Sequence, residues 1–443
     1  MRVSIVSTLH GHCGIAQYTG HFVDALRKSG VDAATIAEET WQANTPWYPL
    51  KILAQINRTK PDVVHIQHEY LLFGKGEYGA LLIPLLLLLK VFHRAVILTL
   101  HSVISITTLT PSFFEEYTRR KSLATLKRIG VLALTKLLVS LSGRVIVHTH
   151  SAKQVLIHEY KVPSRKISVI SHPSAVVREN HKPAEKITFV LFAGFVKPSK
   201  GIESLIQAMK EVHQNHPHVK LRISGEVSNH NPASSKYRDS LQELAKGLGI
   251  SELIEFDFRF LPEREFEQTI SSASIVVLPY VDQVHGESGV LWKVASFGKP
   301  VVVSKVPKFA NMVQDNETAL FFPPGDEASL AACIEMLLTN RWLAARIGRN
   351  LRKLAAGKTW KTAAQKMNLL YAYESKRPWS LYGSLREMLT WHGNMNEDEP
   401  LDLLNQFDKT RRNETVGLEM NEFDDRPSLN GRRRLINEPI LAS

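Results

Sequence analysis

Cysteine is nearly absent from this chain of 443 residues: only Cys13 and Cys333 occur, far apart and with no metal-ligand spacing around either. They provide neither a disulfide framework nor a thiolate cluster, so reduced thiols in a reducing compartment are expected. Long apolar runs are missing too. The longest, Leu81 to Phe92, is interrupted by Pro84 and Lys90. A spanning helix needs roughly 20 apolar residues, so this run reads as a buried or interfacial helix. The opening Met1-Arg-Val-Ser-Ile-Val-Ser-Thr-Leu-His10 has neither the apolar centre nor the small-residue cleavage site of a secretory leader, and a cytoplasmic location is the expectation. Zinc-finger and RNP-type motifs are absent, so no nucleic-acid partner is expected.

Acidic residues are outnumbered, 43 against 55 Lys and Arg, for a formal net charge of +12. Such an excess fits an anionic partner, either a phosphorylated ligand or an acidic membrane surface. The basic residues are dispersed, with Arg119 to Arg128 the densest early patch. The length suggests two domains with extensions, and an apolar content of 44% says that most of the chain folds.

Short Val/Ile/Leu runs recur at Val3–Val6, Val63–Ile66, Val96–Leu100, Val145–His148 and Ile167–Ile170, each followed by an amphipathic stretch. Continuous apolar strands alternating with helices predict an α/β fold with a doubly wound parallel sheet. A polar stretch, Arg178 to Lys186, interrupts the pattern before it restarts at Ile187–Phe192, Leu221–Ser224, Leu253–Phe258, Ile275–Pro279 and Pro300–Val303. This division gives one Rossmann-like domain over 1–177 and a second over 178–355, with ligands expected in the cleft between them. A helix over 356–376 is expected to pack back on the first domain. Residues 377–443, polar and charged with both signs, read as a largely disordered tail with one helix near Leu381–Trp391.

Two strand-to-helix junctions stand out. In "GESGVLWKVASFGKPVVVS", Ser288 or Glu287 occupies an N-cap position, Gly298 a C-terminal one, and Pro300 bars continuation. That pattern fits a capped core helix. It also fits a helix start whose free amides, at Glu287, Ser288, Gly289 and Val290, meet a phosphate, with Gly289 removing the Cβ from its path. In "FAGFVKPSKGIESLIQAM", Lys197 and Lys200 sit at the turn and could supply positive charge to a diphosphate. The turn "HGHCGIAQYTGHFVDAL" carries Gly11 and Gly14, but not the G-x-G-x-x-G of a dinucleotide site. Histidines end several strands: His65, His68, His101, His148, His150 and His172. Convergence of His65, His101 and His148 on a metal is one reading, and hydrogen bonding to loop backbone or a sugar hydroxyl is the other. No metal site is expected, and Asp-x-Asp does not occur.

In order and spacing, these segments, with "PDVVHIQHE", "VILTLHSV", "VIVHTHSAKQVL", "SSASIVVLPY" and "NETALFFPPGD", resemble the retaining glycosyltransferases of family 4 over roughly residues 1–376. The resemblance implies a GT-B fold, two Rossmann-like domains facing across a cleft, with the acceptor side first and the nucleotide-sugar side second. It implies Lys197 and Lys200 on the donor diphosphate and His101 facing the donor sugar. Gly14, Gly194, Glu287, Ser288, Gly289 and Val290 would line the donor site. The family's E-x7-E motif would fall on His285 and Lys293, so the second acid, which contacts the donor ribose in relatives, is a lysine here. Phe195 follows Gly194 where many relatives place an arginine.

The chemistry so implied is metal-independent transfer with retention, without a cofactor beyond the nucleoside-diphosphate sugar as co-substrate. The expected acceptor is a glycan, a lipid-linked or a small molecule, reached in the lipid-linked case at an anionic membrane face through Leu81–Arg94 and Arg119–Lys136. The alternative is a non-catalytic nucleotide-sugar-binding or scaffolding relative that recruits partners through its C-terminal tail.

Overall fold

The computed structural model describes residues 1–10, 13–41, 46–70, 72–73, 76–92, 94–110, 113–114, 124–174, 189–227 and 232–377. The expected linker, the tail beyond 377 with its helix, Gly11 and the first half of the Arg119–Arg128 patch lie outside the described residues.

The first domain comprises β1 (Arg2–Val6), α1 (Gly14–Lys28), β2 (Asp32–Ile36), α2 (Tyr48–Thr59), β3 (Val63–His68), α3 (Leu82–Val91), β4 (Ala95–Leu100), β5 (Ser102–Val103), α4 (Ala124–Leu141), β6 (Arg144–Val147), α5 (His150–His158) and β7 (Ile167–Val169). Its six-stranded sheet, in the order β2-β1-β3-β4-β6-β7, is parallel throughout. Every residue of β3 and β4 is buried, because helices cover both faces, which is why these strands read as continuous runs rather than alternating ones. Strand β2 escaped the sequence reading: Asp32-Ala-Ala-Thr-Ile36 is an edge strand of small residues, and its apolar signal is too weak to mark it.

The second domain follows with β8 (Phe189–Ala193), α6 (Ile202–Asn215), β9 (Lys220–Ser224), α7 (Pro232–Gly247), β10 (Ile254–Asp257), α8 (Glu263–Ser272), β11 (Ile275–Leu278), β12 (His285–Gly286), α9 (Gly289–Ser296), β13 (Val301–Ser304), α10 (Pro307–Ala310), β14 (Leu320–Phe322), α11 (Glu327–Thr339), α12 (Arg341–Ala356) and α13 (Trp360–Glu374). The strand order is β10-β9-β8-β11-β13-β14, the Rossmann arrangement, whose order reverses between β8 and β11. In the first sheet the reversal falls between β1 and β3. Loops leaving the carboxyl ends of strands at such reversals splay apart and leave room for a ligand.

Among the described residues, two of the connections that join the domains involve whole elements. Strands β5 and β12 pair antiparallel, His285 opposite Val103 and Gly286 opposite Ser102. Gly286 is required there, since a Cβ would lie 2.6 Å from the carbonyl oxygen of His101. The second connection is α13, which packs on α1. Its Tyr371 hydroxyl is 2.6 Å from His65 Nδ1, and its Glu374 accepts a 2.6 Å hydrogen bond from Arg144 Nε, both side chains almost wholly buried.

Candidate functional site

A cleft of about 890 Å³ opens where the strand ends of the two sheets face one another. The segments that line it include the β1–α1 turn (Cys13, Gly14), the loop after β7 (His172, Pro173), the β8 turn (Gly194, Lys200), the start of α8 (Glu263) and the start of α9 (Glu287 to Val290). Gly14, Gly194, Lys200, Glu287, Ser288, Gly289 and Val290 thus come together, although they lie far apart in the chain.

Local sequence positions each of them. Ser288 caps α9 with its hydroxyl, 3.3 Å from the Leu291 N–H, which leaves the remaining first-turn amides and the positive end of the helix dipole for a ligand. Lys200 ends a short turn closed by Gly201, where φ is +60° and a Cβ would lie 2.1 Å from the Pro279 carbonyl oxygen. Only glycine therefore lets the β8 turn lie against the end of β11. Lys200 Nζ stands 3.3 Å above the Tyr280 ring centre, a cation–π contact that holds the ammonium at the cleft wall. Lys197 is not among the cleft-lining residues. Its charge acts on buried Glu69 and Asp282.

Glu287 and Glu263 are both strongly perturbed acids of the cleft, in opposite directions. Burial raises the Glu287 pKa to about 7, while its Oε2 accepts hydrogen bonds from Trp292 Nε1 at 2.7 Å and from the His172 N–H at 2.9 Å.

His101 is buried and does not line the cleft. Its Nε2 lies 2.8 Å from the Gln67 amide oxygen and its Nδ1 3.1 Å from His148 Nε2, with Tyr18 edge-on at 4.8 Å. His148 Nδ1 faces the Ile170 carbonyl at 2.8 Å, which can only accept, so that nitrogen carries the proton. Burial lowers the pKa of His148 to about 4 and that of His65 to about 3, and drives His101 well down, so all three rings are neutral. His148 Nε2 is then a bare acceptor and His101 Nδ1 must donate to it. His101 Nε2 in turn needs a donor, which a half-turn of the Gln67 amide supplies. The order closes with Gln67 accepting from His65 Nε2 and the Tyr371 hydroxyl donating to His65 Nδ1. Both nitrogens of His101 are spent inside the protein. His65, His101 and His148 do approach each other, but through hydrogen bonds. Among the described residues no group of three or more His, Cys, Asp or Glu could hold a metal ion.

Two histidines line the cleft among the described residues, His21 and His172, and the sequence reading left His172 unassigned. Its Nδ1 is 2.8 Å from the Pro173 carbonyl and so carries the proton, leaving Nε2 an acceptor. That nitrogen lies 3.4 Å from where a Gly289 Cβ would stand. Glu263, Tyr280 and Lys308 were also missed. Lys308 lines the cleft and pairs with Asp282 at 3.3 Å. Glu263 and Lys308 each stand at the start of a helix entered after a strand end, and the strand-end rule applied to β10 and β13 would have pointed to both.

The architecture is GT-B: sucrose-phosphate synthase from Thermosynechococcus elongatus superposes with a TM-score of 0.68 at 17% identity, covering 84% of this chain and 98% of that one. HepE from Anabaena, solved with UDP-glucose, superposes at 0.64 and 14% identity, covering 84% and 100%. The profile of Glycosyl transferases group 1 matches residues 175–354, and that of Glycosyltransferase Family 4 matches residues 31–173. The chain belongs to the group 1, family 4 glycosyltransferases. Among characterised relatives, D-inositol 3-phosphate glycosyltransferase of Nocardia farcinica is 25% identical over 261 residues, and that of Corynebacterium efficiens 27% over 254. These matches cover 56% and 53% of this chain and only 56% and 57% of the relatives' own length.

Proposed function

We propose that the protein transfers a sugar from a nucleoside-diphosphate sugar to an acceptor hydroxyl, with retention at the anomeric carbon. The observation that carries this reading is the meeting of Lys200 with the open amide end of α9 at the β8/β11 reversal. Negative charge grows on the diphosphate as the glycosidic bond loosens. Lys200, Lys308 and the helix dipole are placed to stabilise that charge, more strongly in the transition state than in the bound donor. Lys197 adds long-range positive potential from behind. The departing phosphate oxygen accepts the proton of the incoming hydroxyl, so the acceptor is activated without a separate protein base. The neutral His172 Nε2 accepts a hydrogen bond from a hydroxyl of the bound sugar. Closure of the two domains keeps water from intercepting the donor.

The acceptor enters from the first-domain wall at Cys13, Gly14 and Gln17. It is a glycan, a lipid-linked or a small hydroxyl compound, and the names of the relatives favour a phosphorylated polyol. A thermal-shift panel of UDP-, GDP-, ADP- and TDP-sugars tests the reading, since a ligand at 100 times its Kd adds about 2.7 kcal/mol of stability. One donor class should raise Tm, Lys200→Ala should abolish the rise, and NMR of the product should show the donor's anomeric configuration. No shift with any donor overturns the reading in favour of a scaffold. Inversion overturns its stereochemical part.

A further inference from the structure

On the outer face of the first domain, α2 packs on α3 and α3 on α4. The residues of these three helices include no Asp or Glu, so every charge they carry is positive, and Lys51, Arg58, Arg128 and Lys136 are exposed. The same layer exposes large apolar side chains: Trp47 (66%) and Leu50 at α2, Val91 and Phe92 at α3, Leu126 (61%) and Ile129 (57%) on α4.

An outer-layer helix ordinarily turns its apolar stripe inward, and the C-terminal half of α4 does so with Leu138, Val139 and Leu141. Nearer its N-terminus it also turns apolar side chains outward: Leu126, Ile129 and Ala133, spaced three and four apart, are all exposed, while Val131 and Leu132 pack inward. Three neighbouring helices therefore present apolar side chains among cations, with no carboxylate of their own to neutralise them.

We infer that this face docks on an anionic lipid bilayer. Charge complementarity selects the partner: acidic headgroups offer a continuous negative surface, each Lys or Arg near it being favourable on its own, while the apolar side chains reach the acyl boundary. Among the described residues no helix is long and apolar enough to cross a membrane, and the face proposed here lies on the bilayer surface. The face is the helical layer over the sheet, separate from the cleft at the strand ends. Docking therefore does not depend on the transfer reading, and only the delivery of a lipid-linked acceptor rests on it.

Co-sedimentation of the full chain with vesicles tests the inference. Binding to vesicles of equal parts phosphatidylglycerol and phosphatidylcholine should exceed binding to phosphatidylcholine alone by at least about tenfold and should fall at high salt. Arg128→Glu with Lys136→Glu should lower the partition coefficient at least about tenfold. Phe92→Asp should do the same, and all variants should keep the circular dichroism and donor-induced Tm shift of the wild type. Equal binding to both vesicle types, or binding that survives both sets of substitutions, overturns the inference. It is also overturned if the wild type sediments as a dimer without lipid and Phe92→Asp makes it a monomer, because a second copy would then be the occupant. A wild type that binds vesicles but no sugar nucleotide upholds the docking and refutes the transfer reading.

Discussion

Lys293 Nζ lies 2.7 Å from Oε1 of Glu263, and His21 Nε2, from the first domain, reaches the same oxygen at 3.0 Å. The lysine at the position where the family resemblance implies an acid is therefore paired with a carboxylate from the start of α8. Lys293→Glu alone should set two carboxylates side by side and lower stability by about 1 kcal/mol, a modest value because the pair is partly exposed. Exchanging the charges, with Glu263→Lys added, should recover most of the loss in a denaturant melt.

The hydrogen bond from His21, with the bond and charge of Lys293, lowers the Glu263 pKa from 4.5 to about 2. A depressed folded-state value stabilises the fold above the unfolded value and loses that effect as pH falls through the folded one. The Tm gap between wild type and Glu263→Gln should be constant above about pH 4.5 and close on acidification toward about 2.

Glu287 titrates in the opposite sense. Its pKa is raised from 4.5 to about 7 by burial, so its contribution to stability is full below 4.5 and is lost as pH rises through about 7. Because it stands beside the amide end of α9, its ionisation also opposes a bound anion. Calorimetry with a nucleoside-diphosphate sugar, which has no titrating phosphate in this range, should show affinity falling from pH 6 to pH 8 by up to about tenfold, the weight of about 1.4 kcal/mol. Glu287→Gln should flatten that dependence.

Gly286→Ala should break the pairing of β5 with β12, since the added Cβ would lie 2.6 Å from the His101 carbonyl oxygen, a backbone atom that cannot turn aside. A loss of about 2 kcal/mol or more is expected, with a larger radius of gyration in small-angle scattering as the domains separate.

Arg144→Ala should leave buried Glu374 with only the longer 3.7 Å pairing to Arg377 and cost about 3 kcal/mol, loosening α13 from the first domain. The double change Arg144→Met with Glu374→Leu should cost far less, because it removes both charges. Denaturant melts of the two variants give the comparison.

The sequence by itself determined most of the strands, the caps and the helix starts, because apolar period, Ser288 as a cap, Gly201 at a turn and Pro300 as a stop act on their immediate neighbours. It also determined that lysines and a capped helix start stand at strand ends. Tertiary structure alone decided which distant segments meet. Nothing local to His101 announces that Gln67 and His148 consume both its nitrogens, nor that His172 takes its place at the cleft. Nothing near Lys293 announces the carboxylate of Glu263. Those pairings depend on which strand ends the sheet order brings together, and strand order is fixed by packing across the whole domain, not by the residues that carry the chemistry.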